Sequence, residues 1–265
     1  MSFKIESISS ERQKSMEKTG AWSSSAPVGI EKLRSVFVSY IDFEGILKHD
    51  GEIIVLESVA QATLNIFREL LKCNFPLHSV RPIDEYDADD DISVLENNTS
   101  AYCFRPIEGS SVISVHSYGV AIDVNPYFNP YIAPVRNPGG MVEIADYKMD
   151  YLQRFPSKRG MVEPIVDVFI KNGFTIWGGR WSWPIDYHHF QTTRTQAKLL
   201  AELPSEVAGQ FFAKCVEYPA LVQALERREK EVPGRLIHQL IKDAQSSSEE
   251  FFRALDVLLA LADRV

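Results

Sequence analysis

Several functional classes are closed off by what this chain has little of. Its three cysteines, Cys73, Cys103 and Cys215, lie far apart with no C-x-x-C pair. That spacing supports neither a disulfide framework nor a thiolate metal cage, so reduced thiols are expected. Positive charge is in deficit: 36 acidic against 28 basic residues give a net charge of -8. A phosphate backbone would find no electrostatic footprint, and nucleic acid is excluded as the expected partner. Long apolar runs are missing too. Val257-Leu-Leu-Ala-Leu-Ala262 is among the longest, far below the roughly 20 residues that cross a bilayer. Met1 to Gly20 is polar, without the apolar core or small-residue cleavage pattern of a signal peptide, so no classical export signal is expected. What remains is ordinary globular material. The 265 residues, 45% hydrophobic and 24% charged, suit one well-buried domain with a small appendage.

Turn and periodicity signals divide the chain into three stretches. Residues 1–30 end in the turn-rich Ser23-Ser-Ser-Ala-Pro27 and show little periodicity, which predicts a mobile or loosely docked arm. Residues 31–195 carry mixed signals. Ser35 to Ile41 alternates and is rich in β-branched and aromatic residues, and Ile53-Ile-Val55 follows Gly45 and Asp50-Gly51, predicting strands joined by tight turns. From Leu56 to Cys73, Val59, Leu64, Phe67, Leu70 and Leu71 recur at helical spacing. Val112 to Val115 and Val120 to Val124 read as short strands, Gly160 to Asn172 as a helix closed by Asn172-Gly173, and Phe174 to Trp177 as a strand. Asp84 to Asp91 holds six acidic residues. Without a central glycine or regular oxygen spacing it is no EF-hand, and a solvated loop is the plain expectation. Residues 196–265 are rich in Ala, Leu, Glu, Lys and Arg with breaks at Pro204, Pro219, Pro233-Gly234 and Ser246-Ser-Ser248, which predicts four or five short helices.

Two clusters carry the chemistry. Ser114-Val-His-Ser-Tyr-Gly-Val-Ala-Ile-Asp123 sets His116 and Asp123 seven residues apart across Gly119, where a tight turn or hairpin can return the carboxylate to the imidazole. Trp183-Pro-Ile-Asp-Tyr-His-His-Phe190 adds an acid and two imidazoles, after the glycine- and aromatic-rich Trp177 to Trp183, suited to a cleft wall. Two imidazoles and a carboxylate with an open fourth position make a hydrolytic zinc centre rather than a closed structural one. Such a centre also needs a proton acceptor and a fixed cation or donor, roles that Asp186 and Arg105 could fill. For Arg105 the competing assignment is an ion pair with the acidic run. Strict strand alternation puts Asp186 and His188 on one face and His189 with Tyr187 on the other, so spacing alone leaves open which histidine is the ligand. His49, His78 and His238 read as ordinary surface or hydrogen-bonded histidines.

At these residues the chain resembles the zinc D-Ala-D-Ala carboxypeptidase family, relatives of the vancomycin-resistance D,D-dipeptidases and of L-alanyl-D-glutamate endolysins. The family pattern S-x-H-x-x-G-x-A-x-D stands here as Ser114, His116, Gly119, Ala121 and Asp123, and D-x-x-H-F as Asp186, His189 and Phe190. Asn97 to Arg105 is similar to the family's preceding strand, and Asn125-Pro126 with Asn129-Pro-Tyr131 to its Asn-Pro loop. The likeness runs from about Val36 to Gln191. It implies an α+β fold with a small central antiparallel sheet and flanking helices, as in hedgehog and D,D-peptidase domains, followed by a helical appendage. It further implies zinc held by His116, Asp123 and His189, with Asp186 as general base in the loop before the strand and Arg105 near the scissile carbonyl. His188 becomes a neighbour. Ser114, Tyr118, His188 and Trp183 are the candidate substrate-binding side chains.

The expected activity is hydrolysis of a peptide bond in the peptidoglycan stem, D-alanyl-D-alanine carboxypeptidase first, with an endopeptidase cutting another stem bond as the alternative. A zinc-containing binding module, as in hedgehog domains, is the rival from another class, and a structural metal site in a helical interaction protein is a third. An acid at the base position favours catalysis over both. With no export signal visible, the route to a wall substrate would be phage lysis, a dedicated secretion apparatus or recycling of imported fragments. In the second case the C-terminal helices would bind a protein partner.

Overall fold

The computed structural model of the chain describes residues 3–107, 109–133, 135–136, 142–143 and 150–262. It is an α+β fold. Strand β1 (Lys4–Ser7) leads into helix α1 (Ser10–Thr19), and β2 (Leu33–Ile41) and β3 (Leu47–Leu56) form a hairpin. The three strands make an antiparallel sheet in the order β1-β2-β3. Helix α2 (Glu57–Lys72) presents Val59, Leu64, Phe67 and Leu70 to that sheet, the spacing foreseen from the sequence.

Residues 1–30 are not a loosely docked arm. β1 pairs with β2 from Lys4↔Phe37 to Ser7↔Arg34, and Met16, Ala21 and Val28 are each 1% exposed in the main core. Beside this pairing and burial, one arginine ties the segment down. Arg12 in α1 donates to Glu52 Oε2 at 2.6 Å, Asp84 Oδ2 at 2.9 Å and Glu85 Oε1 at 2.9 Å, so three carboxylates from two later segments converge on it. Compositional punctuation around Ser23 to Pro27 hid this. The turn is present, but both flanks are anchored.

Two short parallel strands follow, β4 (Ser79–Val80) and β5 (Asn98–Thr99), with helix α3 (Asp90–Leu95) between them. Further on come β6 (Ala121–Asp123), β7 (Tyr131–Ile132), β8 (Val135–Arg136), β9 (Val142–Glu143), helix α4 (Val166–Lys171), β10 (Ile176–Trp177), β11 (Ile185–Asp186) and β12 (His189–Gln191). β10, β12 and β6 form a second antiparallel sheet. The stretch Ser100 to Tyr102 splices it to the first: Ser100 exchanges backbone hydrogen bonds with Asp123 at 3.1 and 2.9 Å, while the Tyr102 N–H donates to Ile54 O at 3.0 Å. Three expectations shift. Val112 to Val115 is not a strand but holds an isolated bridge at Ile113 and the start of the 3-10 turn Val115–Tyr118, the helix foreseen from Gly160 to Asn172 is a short 3-10 turn plus α4, and Asp186 lies in its own strand rather than in a loop.

After β12, Thr193 opens helix α5 (Arg194–Glu202) with a reciprocal cap: its Oγ accepts from the Gln196 N–H at 3.2 Å and its own N–H donates to Gln196 Oε1 at 3.1 Å. Helices α6 (Ser205–Glu217), α7 (Pro219–Glu231), α8 (Arg235–Ser246) and α9 (Ser248–Ala262) complete the described chain. Phe211, Leu221, Leu225 and Phe251, all fully buried, belong to the same contiguous core as the sheets. Lys32 donates to the carbonyls of Ala201 and Leu203 at the end of α5, at 2.5 and 3.0 Å. Because Met16 is packed, Met16→Ala is expected to lower unfolding free energy by about 2–5 kcal/mol in urea titration. A mobile arm would leave it within about 0.5 kcal/mol.

Candidate metal centre

His116 is held by the 3-10 turn Val115–Tyr118. Ser114 caps that turn, its Oγ accepting from the His116 N–H at 3.3 Å. The turn closes through Gly119 at φ +67°, whose carbonyl accepts from the Leu56 N–H at 2.8 Å. A side chain there would suffer twice, from the left-handed backbone and from a Cβ 2.6 Å from the Leu56 nitrogen. The turn thus abuts the end of β3, and only glycine allows it.

β6 and β12 then bring the remaining groups together. His189 stands directly opposite Asp123 in the antiparallel register. His116 Nε2 is 3.1 Å from His189 Nδ1 and 3.2 Å from Asp123 Oδ2, and His189 Nδ1 is 2.9 Å from Asp123 Oδ1. All three side chains are buried, between 4% and 7% exposed.

The outer nitrogens decide what these atoms can be. His116 Nδ1–H donates to Ala101 O at 2.5 Å and His189 Nε2–H donates to Gln191 Oε1 at 2.7 Å. With those protons placed outside, each neutral imidazole turns a lone pair inward, beside a carboxylate. Three acceptors packed about 3 Å apart repel one another unless a cation lies among them. A tetrahedral zinc with bonds of about 2.0–2.2 Å spaces its ligands about 3.3 Å apart, so the trio fits the ion in donor type and in spacing.

Charge follows the same logic. Burial alone would raise the Asp123 carboxyl, but His116, His188 and the hydrogen bonds from His116 and His189 hold it well below the usual carboxylate range. Burial opposes charge on His189, yet Asp123 outweighs it and the imidazole rises to about 9. Without metal, a proton on Nδ1 serves as the missing cation.

Asp186 is 8% exposed. Burial, helped by the charge of Asp123, raises its carboxyl against the pull of His188 and His189. Its Oδ1 is 3.0 Å from His188 Nε2, but off the hydrogen-bond axis, so that oxygen has no aligned donor among the described residues. An acceptor of raised basicity with no donor is suited to take a proton. His188, 7% exposed, donates from Nδ1 to the carbonyl of Asn129 at 2.8 Å, and its Nε2 faces Asp186 and, at 3.9 Å, Asp123 Oδ2. It is therefore bound up with the acids. Gly178 permits the approach of the Trp177 turn, since a Cβ there would lie 2.4 Å from the Asp186 carbonyl oxygen.

Arg105 pairs with Asp90 at 2.7 Å, the ion pair that competed with a site role in the sequence, while Asp123 also favours its charge. Cys103 beside it is no nucleophile, because burial pushes its thiol up to about 12. Among the other sequence candidates, Ser114 spends its hydroxyl on the cap, Tyr118 packs partly buried against the core, and Trp183 is 49% exposed. Sequence reasoning gave no role to Ala101 or Gln191, and it placed Asn129 and Trp181 only within the Asn-Pro loop and the cleft-wall stretch; the Trp181 ring centroid is 5.5 Å from that of His189. Gln191 had a signal: two residues after His189 on one strand, it shares that residue's face.

Gln191→Leu is expected to weaken zinc binding by about 10- to 100-fold in chelator competition, as loss of an outer hydrogen-bond partner does elsewhere. Zinc uptake by metal-free protein at pH 7 is expected to release about one proton, read by calorimetry in buffers of different ionisation enthalpy. The sign follows from His189: its raised pKa means that affinity falls as pH drops below about 9.

Curated proteins and solved structures yield no match to this chain. Residues 108–192, which carry His116, Asp123, Asp186 and His189, match the family described as D-alanyl-D-alanine carboxypeptidase. The match supports a likeness of that segment to the D-alanyl-D-alanine carboxypeptidase family of peptidases.

Proposed function

We propose that the chain is a zinc-dependent peptidase of the peptidoglycan stem, acting as a D-alanyl-D-alanine carboxypeptidase. One observation carries this: three inward acceptors in the family segment, with Asp186 Oδ1, which has no aligned donor among the described residues, beside them. His116, Asp123 and His189 would hold the zinc. Once bound it supplies a Lewis acid that polarises the scissile carbonyl and acidifies water.

The chain's own residues do the rest. Asp186 Oδ1 accepts a proton from the attacking water, whose oxygen bonds to the carbonyl carbon, and returns that proton to the nitrogen as the C–N bond breaks. Water is thereby added across the bond, giving a carboxylic acid and free D-alanine. Arg105 supplies fixed positive charge near the carbonyl oxygen as negative charge develops there. Among the described residues no helix is long and apolar enough to cross a membrane. The expected partner is a stem peptide reaching the site from solvent.

Purified protein with zinc is expected to release D-alanine from a stem pentapeptide and to stop when a chelator is added. Asp186→Asn should keep the zinc and lose about 10²- to 10⁴-fold in kcat. Cleavage at another stem bond would move the assignment to the endopeptidase alternative, and absence of turnover on every stem peptide would remove it. For the ligands, His189→Ala should abolish stoichiometric zinc while His188→Ala retains it, and the reverse pattern would overturn the assignment.

A further inference from the structure

Arg105 is fixed at its backbone and restrained at its tip. Its N–H donates to Ser117 Oγ at 3.0 Å, and its carbonyl accepts from the Ser114 N–H and the Ser117 hydroxyl, both at 3.0 Å. The main chain is thus fastened to the turn that bears His116. At the far end Nη2 meets Asp90 Oδ2 at 2.7 Å, while Nε is buried with no partner among the described residues. A long side chain held at both ends, with a donor left over, points to a group kept in place for something else to bind.

The acidic run supplies the restraint. Asp84 and Glu85 are taken by Arg12, and Asp89 caps α3 by accepting from the Ile92 N–H at 3.0 Å. Asp90 occupies the first position of that capped helix, and α3 is itself tied down where the Asn98 amide donates to Ser93 Oγ at 3.1 Å. The backbone that carries the Asp90 carboxylate is therefore anchored independently of Arg105.

We infer that Asp90 is a positioning residue for the peptidase reaction, holding the Arg105 guanidinium so that its unused donors face the substrate carbonyl oxygen. The inference rests on the proposed function only for what Arg105 meets. Placement of the guanidinium by Asp90 is a property of the resting protein. The alternative is a latch, in which Asp90 restrains Arg105 away from substrate.

Asp90→Asn keeps the shape and removes the charge, whereas Asp90→Glu keeps the charge. Asp90→Asn is expected to lower kcat/KM for D-alanine release by about 10- to 100-fold, mainly in kcat, with bound zinc unchanged. Asp90→Glu should recover most of that loss, and in an Arg105→Ala background Asp90→Asn should cost nothing further, because the pair acts as a unit. In the zinc-loaded protein without substrate, the Arg105 Nε–H resonance, assigned by its loss in Arg105→Lys, should shift and broaden in Asp90→Asn. Unchanged or faster turnover in Asp90→Asn, additive losses, or an unmoved resonance would each overturn the inference. Should the unaltered protein cleave no stem peptide, the peptidase assignment fails by itself, and the resonance alone decides whether Asp90 places Arg105.

Discussion

Mutual repulsion among His116 Nε2, His189 Nδ1 and Asp123 is the constraint on which the rest of the molecule depends. Without a cation among them, whether a metal ion or the proton on His189 Nδ1, three buried acceptors would separate, and a soft structure would let them. Each is held from behind. Ala101 O and Gln191 Oε1 lock the two rings, while Asp123 is locked by its backbone bridge to Ser100 and its cross-strand pairing with His189. Behind these stand the Gly119–Leu56 contact and the stacked pair Phe169–Phe190, with ring centroids 3.9 Å apart, which fixes β12 on the core. The fold spends packing on keeping like groups together, and that is a signature of a place where a cation belongs.

The same principle extends outward as alternating charge. Asp186, His188, Asp123, His189 and His116 form a continuous buried chain of acid and imidazole. Arg105 and Asp90 add a second, more exposed pair on its flank, and through α3 and the segment Ile83–Tyr86 the order reaches Arg12 in the N-terminal helix. Acidic net charge, which in the sequence served only to exclude nucleic acid, is here partly consumed in placing two arginines.

Legibility in the sequence tracked how local each signal was. Periodicity exposed α2 and the C-terminal helices, because apolar spacing within one element encodes its own burial. The four motif residues were legible because each spacing is bridged by one turn or one strand, and their convergence on a common point follows from the register His189↔Asp123. Where contacts span the chain, the signal vanished. The docking of residues 4–19 depends on Arg12 meeting carboxylates 40 to 73 positions away, and nothing in either segment announces it. Alternation misled at His188 and His189 because Asp186 and His189 belong to different strands, β11 and β12, paired to different neighbours. The acidic run was misjudged for the opposite reason: its composition is that of a solvated loop, and only tertiary placement turns four of its carboxylates to specific tasks.

The splice at Ser100 to Tyr102 bears on how far this site is portable. The matched segment 108–192 has β6 at its heart, and β6 takes one set of ladder bonds from Ser100 while Gly119 leans on Leu56, both upstream of that segment. Excising the segment, or transplanting it between chains at its own ends, would strip β6 of a neighbour and expose an apolar strand edge of the kind that seeds self-association. The inherited unit is therefore larger than the recognisable one, and it begins upstream of the first motif, on the strand that the glycine touches.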